Sequence, residues 1–417
     1  MIKKLRSGIY RLLRFSERYT KTDMVYLGSG GIWLGILQVV AVFMGLILSI
    51  AYAHFLPKDS FGVYKYILSF VSVVTAFSLT GMDTAIIQAI SRGFEGALKQ
   101  GFRTYIRWSG GSIAILIAGA CYYIFYHEYT IAISLLIATA LSPLLNGWQM
   151  YSPFLQGKKD FKRLAKYGVL LNTVPALIII GTIYITNNPI MIVLAFFSSN
   201  TIMAALFYYR VLRLYKPNNM TDSQTAAYSK HLSFINLLGV TANNLDTILI
   251  FHFLGAAPTA IYSFAYAPVK QLRNITKILG NLILPKYGTR TIPELKQTIL
   301  GKTVRFSIVM SAIMIVYIIL APYFYRLLFP QYLDSVLYSQ ALALLLIFGA
   351  LGIFFGQALT AHMKTRELYI SNVTTSVMRI VLFFILLPSY GIWGVIAALL
   401  IARIISTISL AVLFVRL

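Results

Sequence analysis

From Tyr26 to the C-terminus, apolar runs of 18 or more residues alternate with short intervals that carry lysine and arginine. Runs of that length suit helices crossing hydrocarbon and are too long for half-buried strands. Lipid offers no partner for backbone N–H and C=O groups, so each run must satisfy them internally as a helix. Twelve spanning helices are predicted, at about 26–53, 62–85, 104–126, 129–155, 164–185, 190–209, 232–254, 258–285, 304–323, 338–361, 369–387 and 392–414, numbered segments 1 to 12. The fold class is an all-α polytopic membrane protein, with two six-helix bundles around a central cavity.

Segment 8, Pro258–Pro285, breaks the pattern by carrying Lys270, Arg273 and Lys277. Their i, i+3, i+7 spacing lines them up on one helix face over roughly 10 Å of rise. Pro268 just before them would free a carbonyl and kink the helix. Arg379 and Arg403 each fall about 12 residues into segments 11 and 12, near the bilayer midplane. A cation at that depth costs roughly 2.5–3.5 kcal/mol even on lenient insertion scales. The carboxylates available inside the segments are Asp246, well within segment 7, and Asp83, near the end of segment 2. Two acids cannot neutralise five cations. Either a water-filled cationic cavity awaits an anion, or ion pairs combine with snorkelling, to which Lys277 is best suited. Lys and Arg are the usual partners of phosphate, so the first reading points to a phosphate-bearing substrate.

Charge placement orients the chain. Of the 36 Lys and Arg residues, 28 fall in the N-terminal arm and in one alternate set of loops or helix ends. The opposite set holds only Lys58, Lys65 and Arg326, which predicts both termini in the cytoplasm. Residues 1–21 read as a basic amphipathic helix on the membrane surface, with Ile2, Leu5, Ile9 and Leu12 on one stripe. A signal peptide ending at Ala51-Tyr52-Ala53 is the rival, but the apolar run before it is too long. An internal repeat supports the count: His54-Phe55-Leu56 and Val63-Tyr64 recur as His252-Phe253-Leu254 and Ile261-Tyr262 at one offset of 198 residues. An even number of segments per half makes the halves parallel repeats. The predicted units are the arm 1–21, an N-terminal bundle 22–215, a cytoplasmic linker 216–230 and a C-terminal bundle 231–417.

A second polar cluster lies in segment 7, where Asn243, Asn244 and Asp246 supply oxygen atoms for Na⁺ or a carboxyl group for H⁺, with Asp83 the other candidate. The bland alternative pairs Asp246 with Lys270 or Arg273. Gly28, Gly30, Gly31 and Gly35 in segment 1 suit close helix packing, or a bend for gating. With 58% hydrophobic and 12% charged residues, the formal charge of +24 sets orientation and implies no nucleic-acid partner. The one cysteine, Cys121, excludes an internal disulfide, and the five histidines show no metal-ligand spacing. No cofactor is expected beyond coupling Na⁺ or H⁺. Enzyme signatures are absent: Gly301-Lys302-Thr303 ends like a P-loop, but Lys296 stands where its first glycine belongs. Outer loops are too short for the catalytic domain of a glycan polymerase or ligase.

Several motifs resemble bacterial oligosaccharide and polysaccharide flippases. They are Tyr52 to Tyr64 at the first hairpin, Gly81-Met82-Asp83-Thr84-Ala85, Asn244-Leu245-Asp246 with Ile261-Tyr262-Ser263-Phe264-Ala265, and Leu387 to Gly394 between segments 11 and 12. The resemblance spans nearly the whole chain and implies a V-shaped transporter of the multidrug/oligosaccharidyl-lipid/polysaccharide exporter superfamily. It further implies translocation of polyprenyl-pyrophosphate-linked glycans by alternating access across the bacterial cytoplasmic membrane, for surface polysaccharide such as O-antigen. Expected partners are the lipid-linked oligosaccharide, membrane lipids, and glycan polymerase or glycosyltransferase machinery. The substrate site is expected at Lys270, Arg273, Lys277, Arg379 and Arg403, mainly in the C-terminal half. A cation-coupled drug exporter of the same fold, binding through Asp83 and Asp246, is the alternative. A non-transporting scaffold gives no reason for midplane arginines.

Overall fold

The unit that repeats is a helical hairpin. Segment 1 (Met24–Phe55) turns at Pro57 into segment 2, whose helix begins at Lys58. Segment 7 (Gln224–Leu254) turns at Gly255 into segment 8 (Ala256–Gly288). The two starts, Lys58 and Ala256, differ by the same 198 residues that relate the sequence motifs. The protein is a computed structural model describing residues 24–222 and 224–417, with side chains except those of residues 24–29, 224, 226, 227, 231, 235, 275–282 and 285. The basic arm expected at 1–21 lies outside the described residues.

All regular structure among the described residues is helical. Nine stretches are long and apolar enough to cross a bilayer, by length and composition. The last of them, Thr365–Val415, is two spans: Gly391, at φ 56 and ψ −136, divides it into legs 365–390 and 392–415, segments 11 and 12. Those dihedrals are open to glycine and strained for any L side chain. Segment 2, broken over 77–81, and the basic segment 8 complete the twelve.

Several boundaries differ from the sequence reading. Segment 2 is two helices, Lys58–Ala76 and Met82–Ser91. Segment 3 begins at Ala97, ahead of its apolar run, because Leu98, Gly101 and Tyr105 bury one face of an otherwise basic amphipathic stretch. Segment 9 starts at Ile292 behind a capping box formed by Thr291 and Glu294. Segment 8 is one helix, Ala256–Gly288, running through Pro268.

In the N-terminal half segment 1 packs on 5, 5 on 6, 6 on 4, and 4 on 3. In the C-terminal half segment 10 packs on 8, 9 and the 11–12 pair, and segment 7 on the latter. The halves meet where segment 2 lies against 7 and 8. That approach is close: a Cβ on Gly62 would sit 1.9 Å from the Ala256 carbonyl oxygen. Away from the basic loops, aromatic rings seal the seam. Phe264 stacks on Tyr332 with centroids 3.8 Å apart and meets Phe61 at 4.9 Å, while Tyr66 stacks on Phe251 at 4.1 Å. Lys58 pairs with Asp334 at 2.8 Å across the same end. Toward the basic end, segment 2 touches segment 7 through polar contacts, Gly81 N–H to Ser233 Oγ at 2.8 Å and Gln88 Nε2 to the Tyr228 hydroxyl at 3.2 Å.

Candidate functional site

Segment 7 places Asp246 in the core of the C-terminal half, 3% exposed. Its Oδ2 accepts from the Tyr262 hydroxyl at 2.6 Å and its Oδ1 from the Thr247 N–H at 2.7 Å. Tyr262 comes from the first turns of segment 8, so this contact ties the C-terminal hairpin together. The expected ion pair with Lys270 or Arg273 does not form: among the described residues no Lys or Arg nitrogen lies within 4.0 Å of Asp246 or Asp83. Hydrogen bonds from neutral donors satisfy the carboxyl oxygens, which leaves nearby cations to find other partners.

Those partners are weak. Arg379 of segment 11 donates Nη1 to Asn243 Oδ1 at 3.2 Å. Arg403 of segment 12 donates Nη2 to the Gly349 carbonyl of segment 10 at 3.5 Å, the long limit of a hydrogen bond. The Nε of each is buried without a hydrogen-bond partner. Arg273 donates to the Tyr266 hydroxyl on its own helix. The three guanidinium groups lie within electrostatic range of one another around Tyr266. Lys270 is solvent-accessible and acts electrostatically on Asp246 from one side and on Lys65 from the other. Segments 8, 11 and 12 thus bring Lys270, Arg273, Arg379 and Arg403 together. The side chain of Lys277 lies outside the described residues.

Lys65 corrects the sequence reading. The outer-end position read from the sequence puts it two turns inside the helix that starts at Lys58, with its ammonium 5.2 Å from the Phe61 ring centroid and within electrostatic range of Lys270. The N-terminal half therefore contributes a cation, and the site is less one-sided than the segment charges suggested. The 198-residue offset carried this signal, because it sets Lys65 level with Ser263, inside segment 8.

The proposed ion ligands of segment 7 each have protein partners. Asn243 already accepts from Arg379, and Asn244 Nδ2 bridges the seam to Ser72 Oγ at 3.3 Å. Asp83 opens the second helix of segment 2, solvent-accessible yet hemmed in by protein near Tyr105, remote from the cationic group in the fold.

A twelve-span helical fold in two related halves, with cations gathered between segments 8, 11 and 12, describes a transporter-type membrane protein. The chain belongs to the polysaccharide biosynthesis protein family, whose family model matches residues 27–285. No functionally curated protein matches it in sequence. Solved structures match its fold. An inward-facing multidrug resistance MATE family transporter of the MOP superfamily has a TM-score of 0.67 at 13% identity, covering 93% of this chain and 98% of that one. A MOP superfamily transporter from Pyrococcus furiosus, described as having a binding pocket of reverse polarity, has a TM-score of 0.57 at 13% identity, covering 92% and 94%. The lipid II flippase MurJ in an inward closed conformation has a TM-score of 0.56 at 15% identity, covering 91% and 87%.

Proposed function

We propose that the protein flips a polyprenyl-pyrophosphate-linked oligosaccharide across the bacterial cytoplasmic membrane, with the basic end and both termini in the cytoplasm. The observation that carries this reading is the pair of deep arginines, Arg379 and Arg403, whose Nε atoms are buried without partners. A buried charge without a counter-charge is costly, and a bound anion removes that cost. Pyrophosphate oxygens accept bidentate bonds from guanidinium groups, and Lys270, Arg273 and Lys65 add charge along one wall. The lipid II flippase MurJ shares this fold. Family membership in polysaccharide biosynthesis points to the same class of cargo.

Exchange between leaflets is then a rocking of two units, 22–215 and 231–417, about the segment 2–7 seam, joined by the linker 216–230. In the arrangement described, the aromatic seal and the Lys58–Asp334 pair close the outer end. Opening outward requires those contacts to part and the polar contacts at the basic end to tighten. Asp246, with Tyr262 moving away, supplies a carboxyl group for H⁺ coupling. Asn243, Asn244 and Asp83 are the other candidates for Na⁺ or H⁺. Membrane lipids and the polymerase and glycosyltransferase machinery of the same glycan are the natural partners.

The test is reconstitution of the purified protein in liposomes with a labelled lipid-linked oligosaccharide, scoring protection of the label from an external reagent. Net translocation above protein-free vesicles is expected. Absence of translocation, together with drug efflux that depends on Asp246, would replace this reading with the exporter.

A further inference from the structure

A second basic site lies at the loop end of the N-terminal half, away from the deep cluster. A pocket of about 440 Å³ is lined by Lys99 from the start of segment 3, Tyr209 and Arg213 from the end of segment 6, and Lys216 and Asn219 from the linker. We propose that this pocket binds a phosphate-bearing anion, the headgroup of an anionic phospholipid or a free phosphate compound.

Three observations support it. First, the lining holds three cations and no carboxylate, and none of the three forms an ion pair among the described residues. Acids are close by, yet they are committed elsewhere: Glu95 to Lys158, Asp222 to Arg92 and Asp160 to Arg163. Like charges left together without a counter-ion repel, and an anion relieves that repulsion. Second, Lys216 caps segment 6 in the left-handed region, at φ 43, where glycine or asparagine is the usual choice. That cap sets the Lys216 side chain in the lining of the pocket. Third, the linker wall is fastened. Gly96 N–H donates to the Met220 carbonyl at 3.0 Å, and Asn218 bridges Glu95 and the Gly93 carbonyl at 3.2 and 3.1 Å. An occupant bridging Lys99 to Lys216 would therefore clasp segment 3 to the connection between the halves. Above the pocket, Leu206 and Tyr209 are 58% and 54% exposed, an apolar face on which acyl chains can lie.

The experiment titrates the full chain in detergent with short-chain phosphatidylglycerol, short-chain phosphatidylcholine and inorganic pyrophosphate, reading bound ligand by native mass spectrometry. Phosphatidylglycerol is expected to bind at least tenfold tighter than phosphatidylcholine, with about fivefold lost per neutralised cation in K99Q, R213Q and K216Q. Phosphatidylglycerol binding without pyrophosphate binding assigns the site to a lipid headgroup. Pyrophosphate binding that displaces phosphatidylglycerol assigns it to phosphate generally. K216G separates binding from folding: relief of the left-handed lysine should hold or raise the melting temperature while affinity falls. A K364Q/R366Q control, at the basic end of the other half, should bind as the parent does. The proposal fails if phosphatidylglycerol and phosphatidylcholine bind alike and pyrophosphate does not bind. It also fails if the combined K99Q/R213Q/K216Q variant binds as tightly as the parent, or if the control loses as much.

Discussion

Two populations of basic residue occupy this molecule, and they differ in what they touch. At the loop ends Lys58, Arg92, Lys158 and Arg163 each meet a carboxylate, at 2.8 Å for Lys58 and 2.6 Å for Arg92. In the membrane core Arg273, Arg379 and Arg403 meet hydroxyl, amide and carbonyl oxygens, although Asp246 lies among them. Water makes pairing cheap and nearly worthless at the rim, whereas desolvation makes its absence expensive in the core. Arg379 and Arg403, held in the core without a carboxylate in direct contact, are best explained by a charge that arrives from outside the protein. The rim pairs join loops that are adjacent in the fold; on the proposed reading, the core group binds the substrate.

The largest expected effect breaks the comparison at its deep end. Arg379→Ala and Arg403→Ala should each slow flipping by about 10- to 150-fold, the worth of a charged hydrogen bond. Arg379→Met should do so without lowering the melting temperature, because an apolar side chain replaces a guanidinium whose buried Nε lacks a hydrogen-bond partner. Wild-type flipping in either variant would show that the deep cations are structural.

Asp246 sharpens the comparison next. In Asp246→Ala the buried Tyr262 hydroxyl loses its acceptor, so stability should fall by about 1–3 kcal/mol. Asp246→Asn keeps an acceptor and should lose less, read as a smaller drop in thermal unfolding temperature. Equal losses would mean that the negative charge itself stabilises the fold through its cationic neighbours.

Lys65→Ala should reduce flipping several-fold, less than either arginine, since its ammonium already lies against the Phe61 ring. No change would return the site to the C-terminal half alone.

The smallest effect is at the rim. Lys158 beside Glu95 holds its carboxyl below the ordinary value of 4.5, aided by the Asn218 N–H. A depressed folded value means a contribution fully present above pH 4.5 and lost as pH falls through the folded value. Labelling of a cysteine placed at Asn218 should therefore rise only below pH 4.5, and Glu95→Gln should remove that dependence. A pH response unchanged in Glu95→Gln would assign the effect to another group.

Much of the architecture was legible because it depends on local pattern. The segments announce themselves by length, and the hairpin repeat is visible because the turns at Pro57 and Gly255 carry matching neighbours. The deep cations were legible for the same reason: a charge in an apolar run needs no partner to be noticed. What was hidden depends on neighbours distant in sequence. Lys65, eight residues beyond Pro57, reads as an outer-end residue of segment 2, and only packing against Phe61 and the approach of segment 8 reveal its electrostatic contact with Lys270. The bond from Tyr262 to Asp246 spans 16 residues and depends on how segments 7 and 8 cross. The break over 77–81 in segment 2 has no proline, and a weak Ser-Leu-Thr-Gly signal was absorbed into one long apolar run.

The central claim is that the core arginines Arg379 and Arg403, whose Nε atoms lack partners, carry the substrate and the paired rim cations do not. The most direct test places two double variants side by side in liposomes, Arg379→Ala/Arg403→Ala and Lys158→Gln/Arg163→Gln, and measures initial rates of lipid-linked oligosaccharide translocation at matched protein content. The core variant should fall at least a hundredfold, on the order of two lost charged hydrogen bonds, with the rim variant within twofold of the parent. Equal rates in the two variants, or a greater loss at the rim, would contradict the account.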